Sequence, residues 1–351
     1  MKNKLMKTTA LVGSLIFLGT SASVAQTTVT GNLDLSYRTL SAPGTGINSG
    51  SGFGKESQIN VRNKGKLNNG MDYAAGFSLE YDGTDVGAAG THGEQVYINF
   101  ISGNTTLHVG ADHIQNPDSH AHINPAGVGY ITYYGPAGGP GLYPADANSP
   151  YAAYGFGLIQ AVPGFGNFSA FVAPNDTNAA ARADIHNGND ANTDGERSVE
   201  IGFRGDLGVK GLSVLAFTNS KDAEDTNADT RKEKGTRIGA SYNFGQITVG
   251  GDWVKVRNGS QEANAFTGEE VKGKAVSLTY AATKELSIGG TYGKAETDLA
   301  NAPETEKTKI ISVGYNLGPV VLNAQYQDVE GIGGARNTDA ESFIIKASTL
   351  F

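Results

Sequence analysis

Residues 27–38 read TTVTGNLDLSYR, and the alternation inside them decides the fold. Val29, Gly31, Leu33, Leu35 and Tyr37 alternate with Thr30, Asn32, Asp34, Ser36 and Arg38. A period of two puts the first set on one face of a strand and the second on the other, so one face is apolar with an aromatic end and the opposite face is polar and charged. Two further segments repeat the pattern. Gln58, Asn60 and Arg62 alternate with Ile59 and Val61, and Tyr73, Ala75, Phe77, Leu79 and Tyr81 alternate with Gly76, Ser78, Glu80 and Asp82.

Carried along the chain, the count predicts sixteen strands: 27–38, 55–62, 70–82, 92–102, 104–112, 149–161, 164–174, 196–206, 209–220, 234–244, 246–257, 271–281, 284–295, 306–317, 319–329 and 340–351. Most are close to the ~9–11 residues with which a tilted strand crosses a bilayer. Tight joints fall at Gly103-Asn104, Val162 to Gly164, Leu207-Gly208, Gly245, Ala282-Thr283 and Gly318, and long polar joints at 39–54, 83–91, 113–148, 175–195, 221–233, 258–270, 296–305 and 330–339. A water-soluble sandwich gives no reason for such alternation. An even-stranded membrane barrel does, with short turns on one rim and long loops on the other. The polar faces carry Glu80, Glu200, Arg204, Arg237 and Lys346, which suit a water-filled lumen better than a protein core. The expected fold is therefore all-β: a 16-stranded antiparallel transmembrane β-barrel with an inward-folded third loop.

That loop, residues 113–148, contains no Lys or Arg and is punctuated by Pro117, Pro125, Pro136, Pro140 and Pro144. Neither a helix nor a central strand accepts this spacing of prolines, and structured loops of such length are usually functional. The final strand ends flush on Phe351, as closure against the first strand requires.

At the other end, Lys2, Lys4 and Lys7 precede an apolar run from Thr8 to Gly19 and a small-residue site, Ser23-Val24-Ala25. Residues 1–25 are expected to be a signal peptide, leaving 26–351 as the barrel domain with Gln26 at the mature N-terminus. Removing three Lys and no acid takes the formal net charge from −8 to −11, which argues against a nucleic-acid partner. The chain has no Cys, so disulfides and thiolate metal sites are excluded.

The signal, the TVTGNLDLSY opening, the sixteen segments, the long third loop and the terminal Phe together resemble the bacterial outer-membrane general-diffusion porins of Gram-negative cells, of the alphaproteobacterial type. The resemblance implies passive diffusion of small hydrophilic solutes and ions, a homotrimer in outer-membrane lipid, no cofactor, and an acidic third loop facing basic residues on the wall. A PEFGG-like third-loop motif, seen in enterobacterial relatives, is absent.

Catalytic signatures are lacking. Ser49 to Lys55 (SGSGFGK) imitates a phosphate loop, but Ser49 stands where that motif needs Gly and Glu56 follows Lys55 in place of Ser or Thr. There is no G-x-S-x-G, H-E-x-x-H or Cys nucleophile. His113, His120 and His122 could in principle hold a metal, and Asp176, Asp184, Asp190 and Asp194 a Ca²⁺, yet each group reads better as solvated loop, and no metal is expected. Charge distribution is more telling. No Lys or Arg occurs between Lys66 and Arg182, while nine acidic residues from Asp72 to Asp176 do. Around a pore this would set a transverse field. The expected constriction comprises Asp112, Asp118 and Asp146 opposed to Arg38, Arg62, Arg204, Arg237 and Lys346, with modest cation preference. A sugar or dicarboxylate channel is the rival, because Tyr130, Tyr133 and Tyr134 could form a stacking track in the loop. A barrel enzyme and an adhesin are weaker alternatives.

Overall fold

The computed structural model describes residues 25–42, 49–82, 91–110, 154–175, 198–221, 233–257, 270–297, 305–332 and 338–351. The signal segment and the third loop, with Asp112, Asp118, Asp146, the three loop tyrosines and the three loop histidines, lie outside them. Sixteen strands form one closed antiparallel barrel in which each strand pairs with its sequence neighbours and the last pairs with the first. They are β1 (Gln26–Ser41), β2 (Gly50–Lys66), β3 (Asp72–Asp82), β4 (Thr91–Ser102), β5 (Thr105–Gly110), β6 (Tyr154–Val162), β7 (Gly166–Asn175), β8 (Ser198–Gly205), β9 (Leu212–Lys221), β10 (Glu233–Asn243), β11 (Ile247–Arg257), β12 (Glu270–Ala281), β13 (Leu286–Thr297), β14 (Glu306–Asn316), β15 (Val320–Glu330) and β16 (Ala340–Leu350).

All sixteen predicted segments contain a strand. The largest difference is β2, which begins at Gly50 where sequence reading placed loop until 54. Gly52 and Gly54 lower strand propensity, but pairing outweighs it: Gly50 to Gly54 lie opposite Leu40 to Ser36 of β1, so the hairpin extends well beyond the expected span. The phosphate-loop look-alike is thus strand. The fifth strand is described from Thr105 to Gly110, and residues 111 and 112 of its expected span lie outside the described residues.

Register sorts the faces. Exposed large hydrophobics such as Leu33, Leu35, Ile59, Phe77 and Leu79 occupy one parity, as a lipid-facing surface requires, and the polar partners Asp34, Gln58, Ser78 and Glu80 share the other, inward parity. Tyr242, Phe244, Tyr280 and Tyr315 mark the outward wall toward the short-turn rim, while Trp253, Tyr292 and Tyr326 mark it nearer the long joints. No helix among the described residues is long and apolar enough to cross a membrane.

Three of the short turns share one device. Asn243 Oδ1 accepts from Gly245 N at 2.8 Å, Asn316 Oδ1 from Gly318 N at 2.7 Å, and Asp206 Oδ1 from Gly208 N at 2.9 Å. Each glycine has positive φ, a conformation that an Asx side chain two residues earlier supports and a Cβ would strain.

The seam is the last joint. Gly31 N donates to Phe351 O at 2.9 Å and Phe351 N to Gly31 O at 3.0 Å. The Phe351 ring occupies the space over Gly31, where an added Cβ would meet ring atom Cζ and the Gln58 carbonyl O, each at 2.5 Å. Deleting Phe351 removes both bonds, each worth about 1 kcal/mol net in water and more where lipid offers no substitute. Both that deletion and Gly31→Ala are expected to lower the heat-modifiable folded fraction on cold gels, and unchanged mobility and yield for both would contradict this account of the seam.

Candidate functional site

The closed wall surrounds a lumen, so inward positions are the candidate site. Arg38, Arg62, Arg204, Arg237 and Lys346 all have inward parity. They do not form a single cluster. Lys346 lies opposite Ser36, one diagonal step from Arg38, whereas Arg62 lies opposite Thr28, about 33 Å along the strand from Arg38 at ~3.3 Å per residue. Arg62 and Arg204 belong to the short-turn ends of β2 and β8, and Arg38 to the long-joint end of β1.

Their electrostatic states also differ. Lys346 Nζ donates to Asp34 Oδ2 at 2.6 Å across the β1–β16 seam, so its charge is largely compensated. Arg38 has Nε and Nη2 buried without a hydrogen-bond partner among the described residues. Arg237 is wholly buried and its Nε lies 3.4 Å from Asp252 Oδ2 on the adjacent strand, with side chains 0% and 2% exposed. Arg62 is exposed, and so is Lys64 beside it.

The positive sector requires a correction. The absence of Lys and Arg between Lys66 and Arg182 suggests a transverse field around the pore, with the positive charge lying on the other strands. Register instead turns Lys234, Lys255, Arg257, Lys272, Lys274, Lys294, Lys307 and Lys309 outward. A charge count along the sequence carries no parity, and parity decides which side of a wall a charge serves.

Burial divides the inward wall. On β1 and β2 the inward side chains of Thr30, Asn32, Asn60, Arg62 and Lys64 reach solvent. From β7 to β15 many inward residues away from the short-turn ends are buried, including Phe171, Glu200, Leu215, Phe217, Arg237, Val254, Ile310, Glu306 and Gln327, whereas Asn167 and Arg204 near the short-turn rim are exposed. Leu215, Phe217, Val254, Val256, Ala275, Ala295 and Ile310 form a continuous apolar cluster there. A sixteen-stranded wall encloses an open aqueous lumen, so large side chains on it become buried only where something covers them from within.

Several members of this site escaped sequence reading. Asp34 and Asp252 are ion-pair partners whose roles depend on register. His108 on β5 is buried and inward; its Nδ1 lies 2.7 Å from Asn99 Oδ1, which as an acceptor fixes the proton on Nδ1, and its ring stacks on Tyr97 at 5.9 Å between centroids. A register shift between Gly76 and Ser78 on β3 puts an extra residue in β4 just before Tyr97, and bulges of this kind re-aim wall side chains. Phe171 and Phe217 are inward aromatics that the sequence count did not include. Among the described residues no group of three or more His, Cys, Asp or Glu could hold a metal.

Removing one partner of the Arg237–Asp252 pair strands a buried charge, which typically costs roughly 3–5 kcal/mol. Arg237→Met alone is expected to lower the urea midpoint of the refolded barrel clearly, and Arg237→Met with Asp252→Leu to recover most of the loss. Equal midpoints for the single and double variants would remove the pair from the account.

The sequence profile of Gram-negative porins matches residues 8–334. No curated protein sequence matches the chain. Among solved structures it is similar to a mutant of the Rh. blastica porin (15% identity, 93% of this chain and 100% of that one, TM-score 0.61). It is also similar to Salmonella typhi OmpF in complex with daunomycin (11% identity, 93% and 98%, TM-score 0.68) and to the outer-membrane channel DcaP of Acinetobacter baumannii (10%, 95% and 99%, TM-score 0.65).

Proposed function

Because this chain belongs to the Gram-negative porin family, an outer-membrane channel family, we propose that its barrel passes small hydrophilic solutes and ions by passive diffusion with a modest preference for cations. The observation that carries this reading is the division of the inward wall. An accessible polar strip runs along β1 and β2, while the wall from β7 to β15 is largely buried away from its short-turn end. We infer that the third loop lies against that buried wall and leaves the β1–β2 side as the water path. Its carboxylates, Asp112, Asp118 and Asp146, would then confront Arg38 and the Asp34–Lys346 pair over confined water, where Coulomb terms exceed their bulk values.

A sugar-stacking track gains no support from the wall. Phe171 and Phe217 face inward but are buried, and Tyr97 is engaged by His108. The formal charge of −11 without the signal favours cations at the mouths, and Arg62 and Lys64 near the short-turn rim keep that preference modest.

Planar-bilayer reversal potentials in a salt gradient test this. Asp118→Asn with Asp146→Asn should move the potential toward anions, and Arg38→Gln toward cations. Arg62→Gln, placed at the wide rim, should move it less than Arg38→Gln. If neither the loop pair nor Arg38 shifted the potential, the loop would not line the path.

The assembly we propose is a homotrimer joined through the outward face of β16, β1 and β2. There Leu35, Tyr37, Phe53, Ile345 and Ala347 border an apolar depression of about 330 Å³, Tyr37 and Phe53 pack at 5.0 Å, and Lys55 stands 5.3 Å over the Tyr81 ring. Light scattering of the detergent particle should give three chain masses, falling to one for Ala347→Arg. A wild-type particle of one mass would refute the trimer.

A further inference from the structure

The seam that closes the barrel also forms a recess on the inward face. Register places Gln325, Ile344, Arg38 and Gly52 level with one another across β15, β16, β1 and β2, and Ser342, Leu40 and Gly50 one inward step nearer the long joints. Ser342 therefore stands diagonally between Gln325 and Arg38, at the ~7–8 Å that diagonal neighbours span and long side chains bridge.

Unpartnered polar atoms gather in this recess. Gln325 is 5% and Ser342 3% exposed, yet Gln325 Nε2 and Ser342 Oγ, like Arg38 Nε and Nη2, have no hydrogen-bond partner among the described residues. All four can donate. A buried donor left unpaired is destabilising, whereas donors grouped beside a guanidinium are what an oxyanion needs. Nε and Nη2 form one edge of the guanidinium, and their parallel N–H bonds match the two oxygens of a carboxylate. Other inward cations differ. Lys346 is paired with Asp34 at 2.6 Å and Arg237 with Asp252 at 3.4 Å, while Arg62 and Arg204 stand exposed near the opposite rim.

The surroundings give the recess a mouth and an apolar end. Gly50 and Gly52 share the inward parity of Leu40 and Arg38, and a Cβ added at either glycine would meet nothing within 4 Å. That flank is open. Toward the long joints Leu40 packs on the buried cluster of Ala42, Val329, Ile332 and Ala340, which the bonds from Ile332 N to Thr338 O and from Gly331 N to Asp339 Oδ1 fasten at the end of the seam. A solute entering over Gly52 meets a hydrogen-bonding cationic edge beside an aliphatic surface.

We propose that this recess is a specificity subsite for small aliphatic carboxylates. The carboxylate takes the Nε–Nη2 edge of Arg38, Gln325 and Ser342 donate to its remaining lone pairs, and the alkyl body lies on Leu40. The subsite rests on the channel reading and refines it: a bulk ion senses the summed charge of the path, whereas a carboxylate in the recess senses four donors at contact. An inorganic anion is a poorer occupant, because it has no apolar body to cover Leu40.

The test is single-channel recording of the full mature chain in planar bilayers, in potassium chloride with sodium hexanoate, hexanamide or inorganic phosphate added. Hexanoate should interrupt the open current in a concentration-dependent way, hexanamide should not, and phosphate should need at least tenfold more. Arg38→Lys keeps the charge and loses the edge, and Gln325→Met with Ser342→Ala changes no charge; each should weaken hexanoate at least tenfold. Lys284→Gln at the short-turn rim should leave hexanoate as in wild type. Heat-modifiable mobility on cold gels certifies that each variant is folded, and if the double variant does not fold, Arg38→Lys decides. A conducting wild-type channel indifferent to hexanoate would overturn the subsite and leave the channel reading standing, whereas a chain that does not conduct would overturn both. Equal interruption by hexanamide or phosphate, or undiminished interruption of folded Arg38→Lys, would also overturn the subsite.

Discussion

Everything in this molecule depends on leaving no strand edge in hydrocarbon. An unpaired N–H or C=O there has no water to turn to and costs several kcal/mol, so a sheet in a bilayer survives only if it closes. The cost is met at one seam, where β16 runs antiparallel to β1 from Leu350 opposite Asn32 to Glu341 opposite Ser41 and is finished by the Gly31–Phe351 bond pair. Gly31 is small because the terminal ring must lie on it. The composition of β1 follows from that closure as much as from its own strand propensity.

Closure with a period of two gives each strand two unrelated surfaces. The same twelve-residue β12 run that presents Gly273, Ala275 and Ser277 to the interior presents Lys272, Lys274 and Val276 to the exterior. A one-residue slip would exchange them, moving lysines into a buried apolar cluster and alanines into lipid. The interior face therefore enforces the exterior one: the luminal cluster of Leu215, Val254, Ala275 and Ile310 fixes the register that keeps Lys272 and Lys274 on the outward face.

Much of the architecture was legible because membrane strands repeat a pattern that survives without tertiary knowledge. Strand number, the alternation of joints and the inward parity of Arg38, Arg62, Arg204, Arg237 and Lys346 all follow from a count of two. The extent of β2 was not legible, since the glycines at 50, 52 and 54 read as loop until their pairing with β1 is known. Nor was the side of the wall taken by the later lysines, because charge was summed by strand and not by face. Ion-pair partners escaped for a related reason: Asp34 and Lys346 are 312 residues apart and meet only through closure.

The inward wall shows why selectivity resists a reading by residue count. Arg237 is as cationic in the sequence as Arg62, yet one is sealed against Asp252 and the other stands in solvent. A buried, compensated charge contributes little field to a passing ion, whereas an exposed one acts across the few ångströms of water that a confined path leaves. Among the described basic residues of the inward face, Arg62 and Lys64 on β2 and Arg204 on β8 are exposed to solvent, a smaller set than the inward charges as a whole. Covering part of the wall of such a barrel both narrows the path and removes the charges beneath from the field.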